Sequence, residues 1–175
     1  TMNNSAFSDE FDDLARKPEI WLDESRYQMV VADALFDLFD KIIFTGTIEQ
    51  RNGYYKAAMF HAGLSIENAA KAVLVKRDPN LIQNKRIDFK NLCGKSGHEI
   101  LKCTQSALGK LSPGQERLLT KLQQYVIWAG KYTLPRYGAV LDDHNLRQEM
   151  GLINVADDRT IISEILKRLT DHVKS

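Results

Sequence analysis

The longest apolar stretch of the chain, residues 54–75, reads YYKAAMFHAGLSIENAAKAVLV and contains few charges. Apolar residues would occupy every side of a helix formed by this stretch, so the pattern predicts a helix that runs through the middle of a bundle. Glu67 and Lys71 are four residues apart and would lie on one face of that helix. We interpret them either as a structural ion pair or as the floor of a site.

Other segments show the 3.6-residue period of amphipathic helices. In residues 24–43 the predicted inward stripe consists of Tyr27, Val31, Ala34, Leu35, Leu38 and Ile42. Ser112 and Pro113 supply the cap and the first-turn residue that typically open a helix. Further helices are predicted over residues 97–108, 112–128, 144–150 and 157–173.

Two segments lack this period and predict long loops, residues 77–95 and residues 131–143. Loops of this length are uncommon in compact domains and are often functional. The predicted fold is therefore all-α, an antiparallel up-and-down helical bundle of about five to six helices with two long loops. We expect a single domain over residues 19–175, preceded by a polar, flexible N-terminal segment over residues 1–18.

The composition narrows the classes of function. A net charge of +1 gives no overall field that would draw the protein to DNA or to an anionic membrane. Charges interrupt every apolar run before the ~18 residues that a membrane span needs. Without an apolar targeting segment at the N-terminus, Cys93 and Cys103 are expected to be reduced thiols. A soluble, cytoplasmic protein is the expectation.

Three motifs follow one another in the order found in a known family. The first is SIENAAKA at residues 65–72, an alanine-rich helix with an acidic residue four positions before a lysine. The second is GHEILK at residues 97–102, and the third is VIWAGKYTLP at residues 126–135. Together they resemble the HEPN domain family of helical bundles over residues 51–137, about half of the chain.

This resemblance implies a bundle that is commonly a homodimer and that binds a nucleotide or RNA, cleaves RNA or recognises a protein partner. Such a partner could be a nucleotidyltransferase, in a stress, toxin–antitoxin or phage-defence context. Ribonuclease members carry an Arg and a His that share one helical face, about four to six residues apart. Here nine residues separate Arg51 from His61, and seven separate Arg136 from His144. Lys131 stands where one branch of the family has Arg.

The candidate ligand-binding residues are Glu67, Lys71, His98, Trp128, Lys131 and Tyr132. Lys71 either holds a phosphate or a base with Glu67 as its orienting partner, or the two only pair with each other. His98 opens a predicted helix whose N-terminus is a natural anion site, or it only caps that helix or packs its ring against the bundle. The aromatic and cationic residues of the third motif either stack and pair a nucleotide or anchor the core.

The favoured function is therefore a HEPN-like domain that binds a nucleotide or RNA. The first alternative is a non-catalytic protein–protein interaction or dimerisation module. The second is a metal-independent endoribonuclease, in which Arg136 would stabilise the phosphorane charge and His144 would act as general acid or base. The chain has four histidines, and none has a second His or Cys at a ligand spacing, so no metal and no cofactor is expected.

Overall fold

The computed structural model describes residues 6–129 and 155–175, with side chains over residues 10–127 and 155–175. Within these ranges it contains six α-helices: α1 Ala6–Ala15, α2 Pro18–Ile42, α3 Ile48–Arg77, α4 Ile100–Leu108, α5 Pro113–Gln124 and α6 Val155–Lys174. The all-α bundle predicted from the sequence is confirmed. Helix α1 lies within the polar N-terminal segment. The second predicted loop and the predicted helix at residues 144–150 lie outside the described residues.

The central helix of the bundle is α3, as the sequence predicts. It begins at Ile48 because Thr47 and Gln50 form a capping box, in which each backbone N–H donates to the other side chain. It ends at Arg77, before Pro79, which cannot continue a helix. Helices α2, α4, α5 and α6 all pack against it. Buried residues therefore occupy every side of its second half.

Helix α2 packs antiparallel to α3, but not through the predicted stripe. Its buried side chains are Leu22, Ser25, Ala32, Phe36 and Phe39. Tyr27, Val31 and Leu38 of the predicted stripe are instead exposed. The predicted inward face is therefore wrong. The physical reason is that α2 carries apolar residues on two sides, and packing against α3 buries the side with the two large phenylalanine rings.

A short β-hairpin follows α3, where the sequence predicts only an irregular loop. After a 3₁₀ turn at Pro79–Leu81, strands β1 Ile82–Gln83 and β2 Arg86–Ile87 pair antiparallel. The two turn residues between the strands have φ angles of 52° and 59°, as a type I′ turn requires. Strands of two residues are too short to show an alternating pattern, so sequence reasoning missed them.

The C-terminal helices agree more closely with prediction. Ser112 and Gln115 form the predicted capping box at the start of α5, with a proline in its first turn. Helix α5 continues into a π-helical turn at Tyr125–Ala129. Helix α6 buries Ile162, Ile165 and Leu169. It begins two residues before the predicted start at Asp157.

Gly63 lets the middle of α3 closely approach the start of α4 and the π-helical turn after α5. A Cβ atom at this position would lie 2.6 Å from Cγ2 of Val126 and 3.3 Å from Cδ1 of Ile100. At such distances a larger side chain forces its neighbours to move. Gly53, near the start of the same helix, has no atom within 4 Å of the equivalent position.

We therefore expect Gly63→Leu to lower the free energy of unfolding by about 1–3 kcal/mol, because it overpacks the core. Gly53→Leu is the matched control and should raise the free energy of unfolding by up to ~1 kcal/mol, because glycine is a poor helix former. Urea denaturation followed by circular dichroism measures both. Equal effects of the two substitutions would contradict the close approach at Gly63.

Candidate functional site

The two charges predicted on the central helix form a buried ion pair. Nζ of Lys71 lies 2.5 Å from Oε1 of Glu67, and their side chains are only 7% and 5% exposed. The i, i+4 spacing places both on one face of α3, as the sequence indicates. At this depth each charge needs a partner, because an unpaired buried charge costs several kcal/mol.

Two aromatic rings enclose the ammonium group of Lys71. Its Nζ atom lies 5.9 Å from the centre of the Trp21 ring and 5.2 Å from that of Phe89. The two rings meet edge to face, with centres 5.5 Å apart. Both distances allow a cation–π attraction. With 7% of its side chain exposed and Glu67 as its partner, Lys71 fits an internal ion pair better than a phosphate-binding lysine.

Glu67 also binds His98. Nδ1 of His98 lies 2.7 Å from the same Oε1 atom that accepts the bond from Lys71. Burial raises the pKa of Glu67, but the hydrogen bond from His98 and the charge of Lys71 outweigh it, so the pKa lies below its ordinary value of 4.5. The carboxylate is therefore ionised at neutral pH. Its Oε2 atom is buried and has no hydrogen-bond partner among the described residues.

The imidazole of His98 is accessible, with 61% of the side chain exposed. Because an ionised carboxylate only accepts hydrogen bonds, Nδ1 of His98 must donate, and Nε2 is left for another partner. The predicted helix start at Gly97 is wrong by three residues, since α4 begins at Ile100. His98 therefore lies in the loop before α4 and not in its first turn.

Two glycines shape the loop that carries His98. Gly94 and Gly97 have φ angles of 77° and 73°, and the N–H of Gly97 donates to the Gly94 carbonyl over 2.8 Å. The carboxylate of Glu99 fills the space beside Gly94 that a Cβ atom would take. A carboxylate at this position disfavours an anion held by the backbone N–H groups of residues 94–96, as a phosphate-binding loop would hold it. The sequence GKS there is consequently not a phosphate-binding loop.

Cys93 and Cys103 form a disulfide, so the prediction of reduced thiols is wrong. The loop between them folds back until their Cα atoms are 4.1 Å apart, a proximity that the sequence does not reveal. The disulfide closes the loop that carries His98. Disulfides are typical of oxidising compartments, so the cysteines no longer support the cytoplasmic prediction.

Basic side chains surround His98 along the sequence, a feature that the net charge of the chain conceals. We call residues 85–102 the basic segment. It carries two acidic residues and five exposed cations, Lys85, Arg86, Lys90, Lys95 and Lys102. Its formal charge is therefore +3, against +1 for the whole chain. A segmental charge count of this kind could have found it from the sequence.

Sequence reasoning also missed a second buried polar group. The hydroxyl of Tyr55 donates to Oδ2 of Asp158 over 2.8 Å, and Nζ of Lys121 lies 3.1 Å from the same atom. Burial, and then the charge of Asp158, raise the pKa of Tyr125 to about 12. These residues join α3, α5 and α6, so we interpret them as a structural cluster.

The remaining predicted site residues lie outside the described part of the chain. These are the side chain of Trp128 and the residues Lys131, Tyr132, Arg136 and His144. Their proximity to His98 stays a prediction. The described residues hold no group of three or more His, Cys, Asp or Glu side chains placed to bind a metal ion. No helix among them is long and apolar enough to cross a membrane.

We expect Glu67→Leu to lower the free energy of unfolding by about 3–5 kcal/mol, because it leaves the ammonium of Lys71 buried without its counter-ion. The double variant Glu67→Leu/Lys71→Met replaces both charges with apolar groups of similar volume and should recover most of this loss. Urea denaturation at neutral pH measures both variants. A double variant no more stable than the single one would argue against the ion pair.

The chain has no match among protein-family models, curated proteins or solved structures. The resemblance to the HEPN family therefore stays a prediction that depends on the three sequence motifs.

Proposed function

We propose that the protein binds a nucleotide or RNA at His98 and the cations of the basic segment that lie next to it. One observation carries this proposal: the exposed imidazole of His98 is oriented by the buried, ionised carboxylate of Glu67. Burying a carboxylate costs free energy of folding. A buried carboxylate that orients an exposed loop side chain therefore indicates that the orientation of this side chain serves a function.

The orientation of His98 suits a phosphate-bearing ligand. With Nδ1 bound to Glu67, Nε2 accepts a hydrogen bond from a ribose hydroxyl or a base when the ring is neutral. When the ring is protonated, Nε2 donates to a phosphate oxygen. Lys71 supports this site without touching the ligand, because it neutralises Glu67 from inside the bundle.

Cations lie close enough along the backbone to add phosphate contacts. Phe89 packs against Lys71, so the backbone of Lys90 follows directly on a residue that contacts the ion pair. The disulfide of Cys93 with Cys103 closes the loop that contains Lys95 and brings Lys102 back towards its start. Flexible lysines bind phosphates mainly as point charges, so such a surface would favour polyanions with little sequence preference.

A fluorescence-anisotropy titration with labelled single-stranded RNA tests this proposal. We expect binding that weakens with salt, and a several-fold loss of affinity in His98→Ala and in Lys95→Ala. Lys95→Ala should also reduce the salt slope by ~0.7, the value for one phosphate contact on a single strand. Competition with ATP distinguishes a mononucleotide site from an RNA surface.

Lys56→Ala is the matched control, because Lys56 is an exposed lysine on α3 eleven residues before Glu67. It should leave the affinity unchanged. RNA and ATP that both fail to bind the wild type would remove the proposal. Binding that survives His98→Ala and Lys95→Ala would place the ligand elsewhere.

A second candidate function is a non-catalytic protein–protein interaction module. Nine of the eleven large hydrophobic side chains that are exposed on the described residues belong to α1, to α2, to the turn after α2 or to the first residue of α3. Phe44 is 94% exposed and follows Ile43, which lines a hollow of about 310 Å³ together with Phe39, Ile48, Arg51 and Asn52. A protruding ring next to a hollow is self-complementary, as a twofold interface requires. This arrangement supports the homodimer that the resemblance implies.

We expect Phe44→Asp to convert a dimer into a monomer, because it removes the ring that would fill the hollow of the second copy and brings a charge against Phe39, Ile43 and Ile48. Multi-angle light scattering after size exclusion measures the mass. Ile87→Asp on the hairpin is the matched control and should leave the mass unchanged. A wild-type protein that is monomeric at high concentration would contradict a dimer interface at Phe44.

The endoribonuclease alternative stays a prediction from the sequence, because Arg136 and His144 lie outside the described residues. The same labelled RNA, run on a denaturing gel, addresses it. Cleavage by the wild type that disappears in Arg136→Ala/His144→Ala would support the alternative. Equal background in both proteins would exclude these two residues as catalysts.

A further inference from the structure

An apolar groove lies between α1 and the first half of α2. It has a volume of about 510 Å³ and is lined by Phe11 and Leu14 of α1 and by Ile20, Trp21 and Tyr27 of α2. Phe11, Leu14 and Ile20 are each between 40% and 47% exposed, and Tyr27 is 66% exposed. Contiguous exposed apolar side chains of this kind mark binding surfaces.

Hydrogen bonds hold the two walls of the groove in place. Nε1 of Trp21 donates to the carbonyl of Ala15 over 2.7 Å, which fixes α2 to the end of α1. The guanidinium of Arg16 donates to the carbonyl of Ile82 over 2.9 and 3.0 Å, which fixes α1 to the hairpin. A partner therefore meets a preformed groove and loses less entropy on binding.

The charge around the groove selects the kind of partner. Residues 10–27, which span the groove, contain six acidic and three basic side chains, a formal charge of −3 in a chain of net charge +1. Asp23 and Glu24 line the groove itself. Of the cations, Arg26 is already paired with Asp23, and Arg16 with Asp12.

Three classes of occupant are disfavoured by this charge. A second copy of the chain would bring an equal negative charge to the same surface. RNA and the anionic surface of a membrane are repelled for the same reason. A cationic protein segment with an apolar side can bury its apolar side chains in the groove and pair its charges with the acidic residues around it.

The shape of the groove favours a helix as that segment. Its α2 wall runs from Ile20 to Tyr27, two turns of helix, and its opposite wall is another helix. An amphipathic helix inserts side chains at i, i+3 or i+4 and i+7 into a groove of this length. We propose that the groove between α1 and α2 binds a lysine- or arginine-rich amphipathic helix of a partner protein.

This inference deepens the second candidate function, the interaction module, at a surface separate from Phe44. Titration of the full chain with fluorescent model peptides of about 18 residues tests it. One peptide repeats Leu at i, i+3, i+4 and i+7 with Lys elsewhere, a second permutes the same residues so that Leu faces all sides, and a third replaces Lys with Glu. We expect the patterned basic peptide to bind at least about tenfold more tightly than either of the others.

Substitutions in the groove should weaken binding of the patterned peptide. We expect Leu14→Ser and Ile20→Ser to cost about tenfold each in affinity, and Asp23→Asn/Glu24→Gln to remove the preference over the acidic peptide. Ile87→Ser on the hairpin is the matched control and should change nothing. All five side chains are at least partly exposed, and a thermal melt of each variant verifies that it is folded.

Several outcomes would overturn the inference: no binding of the patterned peptide, equal binding of the permuted one, or full affinity in the folded groove variants. A wild-type dimer that dissociates in Ile20→Ser would show that a second copy fills the groove instead. The interaction module itself is judged separately by Phe44→Asp. A dimer that persists while no peptide binds would leave that function intact and remove only this inference.

Discussion

The arrangement of the candidate site depends on the buried carboxylate of Glu67. A charge inside an apolar bundle has to be neutralised and hydrogen-bonded. Here Nζ of Lys71 and Nδ1 of His98 both bind the Oε1 atom of Glu67. Lys71 comes from the same helix, whereas His98 comes from a loop 31 residues away in the sequence. Trp21 and Phe89 then enclose the lysine. Neutralising one carboxylate therefore fixes α2, α3 and the basic segment relative to one another.

Opposite charges are segregated along the chain although the whole is nearly neutral. Residues 6–42 carry −6 and residues 85–102 carry +3. Within a Debye length of about 8 Å a ligand responds to these local charges and not to the total. The basic segment therefore suits phosphates, and the acidic helices suit cationic partners. A net charge near zero is compatible with a basic and an acidic surface on the same chain, so it does not exclude binding of polyanions at the basic segment.

Local patterns predicted the helices because a helix, its caps and its i, i+4 pairs need only neighbouring residues. The 54–75 stretch, the capping box at Ser112 and the pairing of Glu67 with Lys71 belong to this group. Contacts between distant segments could not be predicted in the same way. The bond from His98 to Glu67 and the disulfide depend on how the loop after α3 folds back.

The wrong face of α2 shows the same limit. The apolar residues of α2 form two stripes, and periodicity alone cannot tell which stripe meets α3. Packing buries the stripe with Phe36 and Phe39, since aromatic rings bury the most area. The other stripe, with Tyr27 and Leu38, is left in contact with water. The error is thus informative, because Tyr27, Val31 and Leu38, which the sequence assigns to the core, are exposed and can contact a partner.

Trp21 belongs both to the groove and to the surroundings of the ion pair. Its ring lines the groove and also contacts the ammonium of Lys71, which in turn neutralises the carboxylate that orients His98. Spatial continuity of this kind couples two sites only if a shared element has two arrangements. The 2.7 Å bond from Nε1 of Trp21 to Ala15 opposes a second arrangement of the ring. The groove and the His98 site should therefore act independently unless a partner breaks that bond.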